Sequence, residues 1–346
     1  MNTPSQTFRN VSFGLFTKIA IGFVGLVGLL LVTSTFYQQA AMARDRATFV
    51  SSDDLIEVDG SEMYIECKGE GSPTVVFESG AGAPHLNWWE VQQTIVQDVR
   101  TCVYDRQGLG WSEYTGVIPT GEFVAQTLHT LLKNAEESGP FVLVGHSLGG
   151  AYVREYATLY PDEVVGLVLI DAVHPQQYAR FPAEYSAVAI SEPFVLKLCR
   201  VVAPSGILRI LDIGSTFTAY AEDTPIYHED IAIFYQSHAC AGAGLELASV
   251  TNLDASAALA PLGDLPLAVL TAGMPVAERP ENLSAGFSVE MLQEVEQVWF
   301  GLQEELATLS TNSSWIVVED AAHFIHHDQP QVVIATIRHI LAQAKH

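Results

Sequence analysis

Three hydrophobic patterns succeed one another along the chain. From Ile19 to Ala43 no residue is charged, and Ile19–Phe36 (IAIGFVGLVGLLLVTSTF) is apolar almost without a break. As a helix, that run of eighteen residues would be about 27 Å long, close to the thickness of a bilayer core. From about Leu55 short buried runs alternate with helix-like segments. Leu55–Val58 and Glu62–Lys68 read as a hairpin around Asp59-Gly60, and Thr74–Glu78, Arg100–Tyr104, Phe141–Val144, Val164–Ile170, Leu267–Leu270 and Trp315–Val318 as further strands. Leu86–Gln97, Gly121–Ser138, Gly149–Tyr160 and Pro330–Ala344 have helical spacing. Continuous apolar strands between helices predict an α/β fold: a mostly parallel, doubly wound sheet covered on both faces. A third stretch, about 173–258, is rich in Pro, Tyr, Phe and Ala without a clean strand, and reads as a helical insertion.

Composition then narrows the function classes. Hydrophobic residues make up 49% of the 346 residues and charged residues 16%, which excludes a disordered chain. Lys and Arg number 16 against 40 Asp and Glu, a formal charge of −24, so the chain lacks the basic face that nucleic-acid binding requires. An anionic lipid surface would repel it unless something apolar anchors it, and the N-terminal run supplies that anchor. The expected organisation is a short tail (1–18), a transmembrane signal anchor (19–37, Ile19–Tyr37), a linker (38–53) and an α/β domain (54–346) with its lid insertion at about 173–258. The alternative is a secretory signal cleaved near Ala43, since Ala41-Met42-Ala43 fits a cleavage site; the apolar run is longer than the usual ~7–15 residues of a signal. Either reading exports the rest of the chain, with the α/β domain extracytoplasmic.

The four cysteines, Cys67, Cys102, Cys199 and Cys240, form no CxxC pair and have no zinc-like spacing with His, so no metal site is expected. The candidate chemistry begins at Phe141–Gly150, FVLVGHSLGG. This Gly-x-Ser-x-Gly follows a buried strand directly and precedes a helix directly, the context that lifts Ser147 above a sheet as a nucleophile. The N-terminal dipole of the following helix would face developing negative charge.

With these residues the chain resembles the α/β-hydrolase family. Asp105–Ser112, DRQGLGWS, is similar to the family's D-x-x-G-x-G-x-S segment, and the resemblance runs from about Leu55 to the C-terminus outside the insertion. It implies an oxyanion hole from the backbone N–H groups of Leu148 and Ala81, the latter in Ser79-Gly80-Ala81 where many members carry His-Gly-x. It places the base late in the chain. Glu319–Pro330, EDAAHFIHHDQP, resembles the family's G-H-x-x-x-x-x-x-P loop with Ala322 for Gly, and selects His323, with His326 or His327 as alternatives. The commonest acid position, after the penultimate strand, holds Val276. Asp171 at the end of Val164–Ile170 is the leading candidate, with Glu278 and Glu281 as alternative acids and a bare capping role for Asp171 also open. The family's strand order would make the second and fourth strands neighbours and allow a Cys67–Cys102 disulfide, the alternative being two buried thiols.

The resemblance therefore implies a membrane-anchored serine hydrolase that cleaves carboxylic esters through an acyl-enzyme on Ser147, without metal or organic cofactor. Its partners would be a small ester with an apolar acyl or aryl group and the lipid bilayer. Two other readings stay open: an acyltransferase or perhydrolase using the same residues, and a non-catalytic binding protein on the same fold.

Overall fold

The structure is a computed structural model that describes residues 6–250, 253, 259–279, 282 and 286–344, with side chains from Leu15 onward. The chain divides into two compact units, one formed by Met1–Phe49 with Cys199–Ser237, the other by Val50–Leu198 with His238–His346.

The larger unit is built on an eight-stranded sheet of order β1-β2-β4-β3-β5-β6-β7-β8. Its strands are β1 (Leu55–Val58), β2 (Ser61–Lys68), β3 (Thr74–Glu78), β4 (Thr101–Tyr104), β5 (Phe141–His146), β6 (Val164–Ile170), β7 (Leu267–Ala272) and β8 (Ser313–Val318). β1 and β2 form the antiparallel hairpin, and Asp59 and Gly60 turn it with positive φ at both positions (49° and 86°), which matches the right-handed strand twist. β2 also pairs antiparallel with β4, and every later pairing is parallel. Strands β3, β4, β5 and β7 are buried at every residue, which is why they read as continuous apolar runs.

Helices cover both faces. α2 (Trp89–Ile95) and the C-terminal helix (Pro330–Gln343) pack Val91, Ile95, Ile334, Ile337 and Ile340 on one face. On the other, α3 (Gly121–Asn134) and α4 (Leu148–Leu159) contribute Leu128, Leu131, Leu132, Val153 and Tyr156. Each such side chain withdrawn from water is worth about 1.5–3 kcal/mol. The register sets Cys67 opposite Cys102, and the two are joined by a disulfide with Cα atoms 4.1 Å apart. None of the cysteines is a free thiol.

Between β6 and β7 the described residues form helices and no strand: α5 (Gln177–Arg180), α6 (Ala183–Ala189), α7 (Phe194–Val202), α8 (Ile207–Ile210), α9 (Tyr227–Phe234) and α10 (Ala239–Ser249). After β7 comes α11 (Val289–Ala307), a helix that the sequence reading did not include; α12 (Ile325–Asp328) and α13 (Pro330–Gln343) follow β8.

The smaller unit contains the whole N-terminal helix. α1 runs unbroken from Gln6 to Phe49, so most of the expected tail and of the expected linker is helix. Past the apolar run, packing supports the helix: Gln38, Ala41 and Asp45 form a buried stripe at helical spacing, against which residues 199–237 fold.

Candidate active site

The turn from β5 into α4 carries Ser147 at φ 51°, ψ −119°, a left-handed conformation that most side chains avoid. Neighbouring backbone holds it there. The Ser147 N–H donates to the Ile170 carbonyl (3.0 Å), and the Ser147 carbonyl accepts from the N–H groups of Gly150 (3.0 Å) and Val173 (2.9 Å). The turn is possible only with glycine on either side. A Cβ at Gly145 would stand 2.6 Å from the Gly149 carbonyl oxygen, and one at Gly149 would stand 2.5 Å from those of Glu78 and Ser79.

Three side chains from distant parts of the sequence meet above this turn. His323 Nε2 lies 3.0 Å from Ser147 Oγ, and His323 Nδ1 lies 2.7 Å from Asp171 Oδ2. Asp171 follows β6, is fully buried, and adopts a positive φ of 41°. Its other oxygen accepts from the Ala272 N–H (3.0 Å) and from the Trp299 indole N–H (2.9 Å), while the Arg279 guanidinium stands 3.8 Å from Oδ2. Burial pushes the Asp171 carboxyl up, but the His323 hydrogen bond and charge, with Arg279 and the Ala272 N–H, outweigh it and leave the group below its usual range. Arg279 is itself fixed by the carbonyls of Met274 (3.0 Å) and Ala272 (2.9 Å).

Of the alternative acids, Glu278 is exposed, and no hydrogen bond or ion pair joins it to His323. Glu281 lies outside the described residues. The alternative bases are engaged elsewhere: His326 is buried and stacked on Trp88 (centroids 4.6 Å apart), and His327 Nε2 is 2.9 Å from Asn87 Oδ1.

His146, beside Ser147, holds the loop that carries His323. Its Nε2–H donates to the His323 carbonyl (2.9 Å), and its ring lies 4.7 Å from that of His323. Burial, reinforced by the nearby His323, pushes His146 well below its ordinary 6.5, so it sits in the fold as the neutral ring.

The Ser79–Gly82 loop is clamped from beneath. Asp105 folds its own segment around its carboxylate, accepting from the N–H groups of His85 (2.7 Å) and Trp111 (2.9 Å), and this presents Arg106 to the loop. Buried Arg106 donates to the carbonyls of Ser79 (2.7 Å) and Gly80 (2.8 Å). It is balanced by two buried carboxylates, Glu78 on β3 and Glu246 on α10, the second at 2.5 and 2.6 Å. Glu246 also accepts from the Gly82 N–H (2.7 Å). In a trans peptide the N–H points opposite to the C=O. With the Gly80 carbonyl held on Arg106, the Ala81 N–H is therefore directed away from Arg106. Ala81, Leu148, Ser147 and His323 line one cavity of about 230 Å³, whose wall continues through Val173, Tyr178, Phe181, Val276, Val295 and Trp299. Leu148 is the first residue of α4, where a helix has N–H groups with no internal partner.

The sequence reading missed Trp299, Arg279, Arg106 and Glu246. The helical spacing of Leu292, Val295, Trp299, Leu302 and Leu306 was there to mark α11, and Arg106 stood inside a motif already singled out.

An antiparallel hairpin leading a parallel sheet, with Ser147, Asp171 and His323 all at the carboxyl ends of strands, is the architecture of the α/β-hydrolase fold. Residues 75–336 match the model of the alpha/beta hydrolase family, and the chain belongs to that family. Among curated proteins it is similar to the uncharacterized protein YqjL of Bacillus subtilis (strain 168), 26% identical over 80% of this chain and 87% of that protein. It also resembles an uncharacterized vacuolar membrane protein of Saccharomyces cerevisiae (strain YJM789), 32% identical over 30% of this chain and 17% of that one. Matches to two further curated relatives span 53% and 39% of their lengths. Among solved structures, a thermophilic esterase from Thermogutta terrifontis superposes with a TM-score of 0.55 at 20% identity, over 84% of this chain and 98% of that one.

Proposed function

We propose that this protein is a serine hydrolase that cleaves small carboxylic esters through an acyl-enzyme on Ser147, held at a membrane by α1 with its catalytic domain on the extracytoplasmic side. The observation that carries the catalytic part is His323 bridging Ser147 (3.0 Å) and the buried Asp171 (2.7 Å). His323 Nε2 takes the Ser147 proton as Oγ attacks the ester carbonyl, and Asp171 fixes the tautomer and stabilises the imidazolium. The tetrahedral oxyanion rests on the N–H groups of Ala81 and Leu148. His323 then gives its proton to the departing alkoxide, and the alcohol leaves. A water molecule, deprotonated by His323, attacks the acyl-enzyme and releases the acid, with the proton returned to Ser147. The apolar wall from Val173 to Trp299 suits an apolar acyl or aryl group.

The membrane part is supported by Leu15–Phe49, the one helix among the described residues long and apolar enough to cross a bilayer, with a mean hydropathy of 2.3 in its most apolar window. Retention of α1 is supported by Gln38 and Ala41, which lie buried in the smaller unit and would be lost on cleavage near Ala43. The Cys67–Cys102 disulfide favours an oxidising, extracytoplasmic setting.

The test is fluorophosphonate labelling and hydrolysis of p-nitrophenyl esters by the full-length protein and by Ser147→Ala, with membrane fractionation alongside. The proposal expects labelling and turnover in the first alone, and recovery in the membrane fraction. Turnover in Ser147→Ala near the wild-type level removes the nucleophile; a soluble mature chain beginning near Arg44 removes the anchor.

A further inference from the structure

We propose that the smaller unit makes a second contact with the bilayer, through apolar side chains of the 199–237 segment that enter the lipid boundary beside α1. The inference rests on the reading of α1 as a membrane-spanning helix.

The segment docks on α1 where the apolar run ends. Ser34 donates its hydroxyl to the Ser205 carbonyl, and Gly206 comes so close that a Cβ there would lie 2.9 Å from both the Ser34 carbonyl oxygen and the Gln38 Cβ. Further along α1, Gln38 donates to the Tyr235 carbonyl (2.5 Å) and accepts from Arg209 (3.1 Å), and Arg209 pairs with Asp45 (2.7 Å). Ser34 belongs to the same apolar run as Phe36, so the Ala203–Gly206 turn is held at the level where α1 would leave the hydrocarbon. The spacing of Ser34, Gln38, Ala41 and Asp45 gives the docked contacts one face of α1, and leaves Phe36 and Tyr37 exposed on others.

The side chains flanking that turn are apolar and uncovered. Val201 is 76% exposed, Ile210 57% and Leu211 64%, comparable with Phe36 at 73%. α7, whose last turn belongs to this unit, has no buried residue at all. Single exposed apolar residues are ordinary on a water-facing surface, but several around one turn at the end of a spanning helix mark an interaction face. Continuity with the span points to lipid as the occupant, and charge does not oppose it. Beyond the span, the smaller unit has four basic and six acidic residues, a formal charge of −2, whereas the other unit has 10 basic and 34 acidic residues, −24. A weakly charged surface with apolar side chains continuous with a membrane span is suited to the headgroup–acyl boundary, at a depth of about 5–10 Å.

Because the chain has no free thiol, single cysteines can be introduced into the full-length protein and labelled with an environment-sensitive fluorophore. Leu30→Cys marks the span, Ile210→Cys and Leu211→Cys mark the proposed contact, and Glu222→Cys marks an exposed polar site of the same unit. In phosphatidylcholine vesicles, the labels at 210 and 211 are expected to shift to the blue and to lose about half or more of their emission to nitroxide-bearing lipids. The label at 222 should respond instead to a quencher in the water. Labels at 210 and 211 that behave like the one at 222, with the label at 30 quenched from the lipid, overturn the second contact and leave the anchor standing. A label at 30 open to the water removes the anchor, and the second contact falls with it.

Discussion

The guanidinium of Arg106 donates to the Gly80 backbone carbonyl over 2.8 Å, and that one bond sets the direction of the next peptide N–H, that of Ala81. Arg106 has no place in the proposed proton transfers, yet it orients the N–H proposed to receive the oxyanion. It is held in turn by Glu246, which also takes the Gly82 N–H, so one charged cluster grips the loop on both sides of Ala81.

Arg106→Lys keeps the charge and loses the fork that grips two carbonyls at once. We expect kcat to fall by about 10²-fold, with KM little changed, because the oxyanion donor is displaced rather than removed. Arg106→Met leaves Glu78 and Glu246 buried without their cation and should cost about 3–5 kcal/mol of stability. Steady-state kinetics with melting curves separates the two effects, and wild-type kcat in Arg106→Lys contradicts the argument.

Asp171→Asn should lower kcat by up to about 10⁴-fold while the protein stays folded, since an amide cannot stabilise the His323 imidazolium. Glu278→Gln should leave activity unchanged, because Glu278 is exposed and the His323 ring is bonded to Asp171 and Ser147 instead. If the first variant stays active and the second loses activity, the acid lies in the loop after β7.

Stability should fall as pH drops below the ordinary histidine value. Burial holds His146 and His326 well below 6.5 and His174 at about 4. Lowered values in the fold mean that below about pH 6.5 the unfolded chain takes up protons that the folded protein refuses. The stability present above that pH is then lost by up to about 1.4 kcal/mol per pH unit for each such group. Neither ring nitrogen of His326 has a hydrogen-bond partner, so His326→Phe should flatten the decline. Denaturant titrations at pH 7.5, 6 and 5 measure it, and equal midpoints would refute it.

Short acyl chains should be preferred. The cavity at Ser147, about 230 Å³, lies below the ~300–1,000 Å³ usual for sites that enclose drug-sized ligands. We expect kcat/KM for p-nitrophenyl butyrate to exceed that for the dodecanoate by about tenfold or more. An equal or rising series would show that the cavity does not bound the acyl group.

Local sequence carried a large part of this. A buried run, Gly-x-Ser-x-Gly and a helical pattern follow each other within Phe141–Leu159, so the strand-to-helix turn at Ser147 needs no information from elsewhere. The same holds for β6 leading into Asp171 and for the apolar span of α1, each written in neighbouring residues with a period of its own. What the sequence left open was decided by contacts between residues far apart in the chain. His323 reaches Asp171 across 152 positions, Trp299 reaches it across 128, and Arg106 meets Glu246 across 140. Helix α1 was legible as an apolar span, but its continuation to Phe49 depends on Gln38 and Asp45 meeting Tyr235 and Arg209. Hydrophobic period and turn chemistry act between neighbours and determine which elements form. Which carboxylate faces His323, and which cation grips the Ser79–Gly82 loop, follows only from the order in which the strands assemble, because that order alone brings those side chains within hydrogen-bond distance.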